Sequence, residues 1–148
     1  MTLFKNFFIV ALLVLISACG KKVDGTYSGQ DSFKVNGGQY PAQTVSITLT
    51  QQGSYVTGTY TITGGNFNGA SGNLSGTVDK ETITSFTLAF NSTPPQYNCT
   101  GNVSGTATVS NNKLTATLQG QLNPLQPLFG QTSPCGQIQW TLDLNKQQ

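Results

Sequence analysis

The chain has 148 residues, and only 8% of them are charged, against roughly 25% in an ordinary soluble domain. Its seven basic residues are all lysine, it has five acidic residues and no histidine, and the net charge is +2. That balance excludes a nucleic-acid footprint, the missing arginine removes the usual bidentate phosphate reader, and the missing histidine removes the commonest acid–base group. The length fits one domain, large enough to bury its own core without a metal.

Residues 1–6 carry one charge, Lys5, and residues 7–16 are an uninterrupted apolar run. The run is too short to cross a membrane, which takes about 20 residues. A short basic region, an apolar segment and small residues after it describe a signal peptide. It ends in Ile16-Ser17-Ala18-Cys19-Gly20, which resembles the lipobox of bacterial lipoproteins: an aliphatic residue, two small residues, then cysteine. The resemblance implies that Cys19 receives a diacylglyceryl group, that the chain is cut before it, and that its new amino terminus takes a further acyl chain such as palmitate. It also implies a membrane partner bound through those chains. Gly20, where an aspartate would favour inner-membrane retention, points to the outer membrane, and so to the periplasm-facing envelope, if the host is Gram-negative, with the leaflet left open. The alternative is a free cysteine in an ordinary secretory signal. The expected division is a signal peptide over 1–18, a lipidated cysteine and tether over 19–24, and a β-barrel domain over 25–148.

From Gly25 onward the hydrophobic period is two. Val45, Ile47 and Leu49 alternate with Ser46, Thr48 and Thr50, and Val56, Gly58, Tyr60 and Ile62 alternate with four threonines. Similar runs surround Leu74–Val78, Phe86–Phe90, Val103–Val109, Leu114–Gly120 and Ile138–Leu144. With an opening strand over 25–30, extending to Val35, eight strands are expected, each apolar on one face and Thr/Ser-rich on the other. Gln51-Gln52-Gly53-Ser54, Asp79-Lys80-Glu81 and Asn111-Asn112 read as tight hairpin turns. Residues 64–69 and 92–98 read as longer loops. Short links between successive strands predict an up-and-down meander.

Val56-Thr57-Gly58-Thr59-Tyr60, Leu74-Ser75-Gly76-Thr77-Val78 and Val103-Ser104-Gly105-Thr106-Ala107 share one pattern, with the glycine on the apolar face. Glycine there predicts strong coiling or a neighbouring strand passing close by. The expected fold is therefore all-β, an antiparallel meander of about eight strands closing into a small barrel. Its polar outer rows are the reverse of a membrane-spanning barrel's lipid-facing surface. Eight meandering strands opening with Gly25-Thr26-Tyr27 resemble the calycin group of lipocalins and avidins. The single tryptophan, Trp140, does not carry biotin binding over. The layout is also similar to small lysozyme-inhibitor lipoproteins, although no inhibitory loop motif maps here.

Once Cys19 is assigned to the lipid, Cys99 and Cys135 remain, and in an exported protein a disulfide is the default. Strands beginning near these cysteines would be separated by one strand, roughly 9.6 Å, too far for a bridge within the sheet. The bridge is therefore expected from loop residues at one barrel end. It would pin residues 122–134, a segment with Leu122, Leu125, Leu128 and Phe129 that would plug the barrel, form a lid, or offer a patch to a partner.

No nucleophile elbow, phosphate loop or metal-ligand spacing occurs, so no catalytic activity, cofactor or metal is expected. Asp31 is the curious acid, because alternate counting from Tyr27 puts it on the apolar face. A bulge near Gly29 that returns it to water is the favoured reading, and a buried carboxylate at a site is the other. The functional expectation is a lipid-anchored envelope module that meets an envelope protein through its loops. The alternative is a binder of a small apolar ligand or lipid, lined by Tyr27, Asp31, Tyr60, Phe86, Phe90 and Trp140.

Overall fold

A computed structural model describes residues 22–92, 98–125 and 135–148, and within them every regular element is a strand. The strands are β1 (Gly25–Val35), β2 (Gly38–Gln39), β3 (Thr44–Gln52), β4 (Tyr55–Thr63), β5 (Ser71–Asp79), β6 (Thr82–Asn91), β7 (Cys99–Ser110), β8 (Lys113–Pro124) and β9 (Gln137–Lys146). Each long strand pairs antiparallel with the next, and β1 also pairs with β9. The eight long strands thus form a closed up-and-down barrel. The two-residue β2 is an extra ribbon on the end of β1.

Alternation dictates this arrangement. In β9, Ile138, Trp140, Leu142 and Leu144 are buried while the residues between them are exposed. The threonines that intervene in β3, β4, β7 and β8 suit a wet strand face, and apolar burial of the other face drives closure. Two-residue turns join the strands at one end, and Asn111 and Asn112 both sit at positive φ, 52° and 62°, as a type I′ hairpin requires. The same geometry at Asn36 and Gly37 (49° and 81°) creates β2, a ribbon absent from the sequence reading.

The inward glycines mark close backbone approach. A Cβ at Gly58 would lie 1.9 Å from the Thr48 carbonyl oxygen, and one at Gly105 would lie 2.1 Å from that of Thr117. Neither neighbour can yield, because both atoms belong to a paired backbone.

Three expectations change. Asp31 is buried, and the β1–β9 register runs without a break from Tyr27↔Lys146 to Val35↔Ile138, so β1 has no bulge to turn it outward. The irregularity lies in β6 instead, where the register shifts between Ile83 and Phe86 and Ser85 takes φ 51°. That shift turns both Ile83 and Phe86 inward. Finally, β8 continues through Pro124, so Leu122 is a fully buried strand residue and not part of the connection.

Gly58→Ala should destabilise the barrel by about 2 kcal/mol or more, as overpacking of a tight interior does. Thr59→Ala, on the exposed face, should change stability by no more than about 0.5 kcal/mol. Urea unfolding of the two variants checks the contrast.

Candidate functional site

The meander gives the barrel two unlike ends. At one end lie the tight turns at residues 53–54, 80–81 and 111–112, together with both described termini. Adjacent hairpins are stitched there by backbone bonds from Val78 to Ser54, Val109 to Glu81 and Lys146 to Asn112. The chain before β1 is held to the same end. Val23 N donates to Gln51 Oε1 at 3.0 Å, Asp24 accepts from Gln51 N, and the Tyr27 hydroxyl donates to Val23 O at 2.9 Å. Tyr27 therefore closes the tight-turn end, with Lys146 5.8 Å above its ring. It is not part of the cluster that Tyr60, Phe90 and Trp140 form.

At the other end are the connections over residues 36–43 and 64–70 and the described ends of the β6–β7 and β8–β9 connections. Inside this end the aromatic side chains converge. Tyr60, Phe90 and Trp140 meet Phe33 and Phe67, with ring centroids 5.7 Å apart for Tyr60–Trp140, 5.6 Å for Phe33–Trp140, 4.7 Å for Phe33–Phe67 and 5.5 Å for Phe67–Phe90. All five rings are no more than 1% exposed. Most pairs pack edge-to-face or tilted, and Tyr60–Phe90 is stacked with centroids 6.3 Å apart; offset and edge-on arrangements are those that aromatic quadrupoles favour. Phe86 is buried deeper in the wall, opposite Gly105.

Asp31 lies beside this cluster. Its Oδ1 accepts from Gln43 N at 2.8 Å, and its Oδ2 accepts from Trp140 Nε1 at 2.8 Å and from Gln43 Nε2 at 3.5 Å. Asp31 N in turn donates to Gln43 O at 3.0 Å. Gln43 is itself buried, and its Oε1 accepts from Phe67 N at 2.8 Å. One carboxylate thereby ties β1, β9, the 40–43 connection and the 64–70 loop together. Burial pushes the Asp31 carboxyl above its ordinary value, and the bonds from Gln43 and Trp140 oppose that rise. The Tyr60 hydroxyl, which donates to Ala89 O at 3.1 Å, is also raised by burial.

Cys99 and Cys135 form a disulfide with a Cα–Cα distance of 5.7 Å. Cys99 opens β7, paired with Pro124, while Cys135 precedes β9, so the bridge joins a strand terminus to a connection rather than two loops. Leu125 is 51% exposed beside it, and its N–H donates to Asn98 O at 2.9 Å. Leu128 and Phe129 lie outside the described residues, as does Cys19.

No protein-family model matches the chain, and no curated protein or solved structure matches it. The closed eight-strand architecture is compatible with a calycin-like fold.

Charge is divided between the ends. Residues 36–43, 64–70, 92–98 and 125–136 contain no Asp, Glu, Lys or Arg. Among described residues the exposed charge nearest that end is Lys34, while Lys22, Lys80, Lys113, Lys146, Asp24, Asp79, Glu81 and Asp143 gather toward the tight turns. The outer wall is uncharged over most of its area. Thr106, Thr117, Thr141 and Ser32 form one cross-strand row, and its three threonines line an open groove of about 660 Å³ that also takes in Gly105 and Ala116. The Lys113–Asp143 pair at 2.8 Å borders it, too exposed to add much stability. Among described residues, no group of three or more His, Cys, Asp or Glu side chains could hold a metal.

Gln43 and Phe67 escaped the sequence reading. Phe67 had a signal, as an isolated aromatic residue in a Gly/Asn loop needs cover. Gln43 had none, since its role depends on where β1 parts from β3.

Two outcomes follow. Because the native Asp31 pKa is raised, the folded state holds its proton longer than the unfolded state. The resulting stability is fully present below the ordinary carboxylate value, about 3.9, and is lost as pH rises through the higher native value. Thermal unfolding from pH 3 to 7 should show that loss in the wild type relative to Asp31→Asn. Separately, reducing the Cys99–Cys135 bridge should lower stability by about 3 kcal/mol, measured by urea unfolding with and without reductant.

Proposed function

We propose that this chain is a lipid-anchored, non-catalytic module of the bacterial cell envelope, which holds its barrel against a membrane and turns the loop end toward an envelope partner. The observation that carries the reading is where the chain enters the barrel. Val23 and Asp24 are bound at the tight-turn end. Three residues separate Cys19 from Val23, and an extended chain spans at most about 3.6 Å per residue. Acyl chains on Cys19 would therefore bring the tight turns to the lipid and leave the disulfide-bearing end facing away.

The division of charge supports that orientation. Tyr55, 68% exposed at the tight-turn end, and the lysines around it suit a headgroup layer, where aromatic residues and cations concentrate. The loop end offers neutral Asn, Gln and Gly with exposed Leu125, a composition for contact rather than for acid–base work. Gly20 after the cysteine favours an outer-membrane address in a Gram-negative host. One acyl chain would bind only marginally, whereas two or three would hold the protein firmly.

Mass spectrometry of the protein extracted from its native membrane should find Cys19 as the acylated first residue, and Cys19→Ala should be released as folded, soluble protein. An unacylated terminus, or a variant that stays membrane-bound, would overturn the reading.

A further inference from the structure

The rings at the loop end do not all have the same standing. Phe33, Tyr60, Phe90 and Trp140 are fixed on β1, β4, β6 and β9. Phe67 comes from a connection, between Gly64, Gly65 and Gly69 at φ 79°, 62° and 85°. Three glycines in the left-handed region within six residues leave that backbone sterically free to turn, so lifting the loop costs chiefly its own bonds, Gly69 N to Ile62 O, Ala70 N to Phe67 O and Phe67 N to Gln43 Oε1. The four strand-borne rings stay in place if the loop lifts, so withdrawal of Phe67 leaves a recess walled by aromatic faces.

Phe67 fills that recess as a ligand would. It supplies an aryl ring, 4.7 Å from Phe33 and 5.5 Å from Phe90 by centroid, and an N–H bonded at 2.8 Å to Gln43 Oε1. Gln43 is in turn bonded to Asp31, whose carboxylate is buried with uncharged donors only. An aryl ring joined by a short linker to an ammonium group would reproduce both contacts of Phe67. It would also bring the cation that Asp31 lacks, among rings whose faces attract one.

We propose that the loop end is a self-plugged binding site for small arylalkylamines, in which the Phe67 ring stands where the ligand's ring would sit. The proposal concerns the barrel interior and does not depend on how the protein is anchored. Opening is a population shift: the ligand competes with Phe67, so the observed affinity is the intrinsic one reduced by the open fraction.

Trp140, the single tryptophan of the chain and a wall of the recess, reports occupancy by its fluorescence. Titrating the full chain with 2-phenylethylamine should give a saturable change in Trp140 emission, and phenylacetate, with the opposite charge, should give none. Hydrogen exchange at the Phe67 and Ala70 amides should accelerate on binding, while the strand amides hold. Phe67→Gly should bind the amine about tenfold tighter or more, because the plug is gone. Adding Asp31→Asn to that variant should reverse most of the gain. A charge effect in the wild type, from the two probes, carries the same information if the double variant does not fold. Binding by Phe67→Gly alone would mean only that a truncated core leaves a hole, and would overturn the proposal. Equal binding of phenylacetate, or wild-type binding with unchanged exchange at Phe67, would overturn it as well.

Discussion

The pairing of β1 with β9 is the constraint on which the rest of the structure depends. Nine residue pairs, Tyr27↔Lys146 to Val35↔Ile138, join the first strand to the last. Without them, a meander of alternating strands would leave two long unpaired edges, a template for association with other chains. With them, every long strand has two neighbours, and the apolar rows face a common interior. The seam also sets the polar network. It places Phe33 opposite Trp140 and Asp31 opposite Leu142, two residues along on the same face, so that the Trp140 indole reaches the carboxylate. A slip of one residue would turn Asp31 outward and Ser32 inward, and the network would vanish.

Closure likewise gives the molecule two unlike ends. Both described termini and the tight turns fall at one end, where most of the charged side chains also gather. The disulfide, the aromatic cluster and the uncharged connections fall at the other. The interior near that end is not uniformly apolar. A buried carboxylate costs free energy unless its oxygens are bonded, and here three donors reach them. Removing any one donor would leave that charge less compensated, so the network favours one arrangement of the 40–43 and 64–70 connections over others. The scaffold is rigid where strands meet, and specific polar bonds decide how its upper connections lie.

Much of this was legible in the sequence because period-two alternation has a local cause. Side chains alternate across a strand, so Val45, Ile47 and Leu49 declare their face without knowledge of their neighbours. The turn residues are equally local, and the glycines at Gly58, Gly76 and Gly105 signalled close approach before any partner was known. What depended on distant residues was not legible. The donors that make burial of Asp31 tolerable include Trp140, 109 positions away, and nothing near Asp31 advertises it. A bulge looked cheaper than a buried acid for that reason. Asn36-Gly37 is an ordinary turn signal just past the expected end of the first strand, but the two-residue ribbon that follows is too short to show a period of its own, and Pro124 hid the end of β8 because a proline suggests that a ladder has stopped. At a strand's last residue its missing N–H disturbs little. The charge-free character of four connections was visible in the letters, but only the closed topology shows that 36–43, 64–70 and the described ends of the other two share one end.

The closed seam is most directly tested by native-state hydrogen exchange at the amides of β1 and β9. A closed barrel predicts that amides along Tyr27–Val35 and Ile138–Lys146 which donate across the seam are protected as strongly as those between β7 and β8, and exchange only with global unfolding. Rapid exchange along β1 and β9, with protection confined to β3 through β8, would mean an open sheet and would contradict the account.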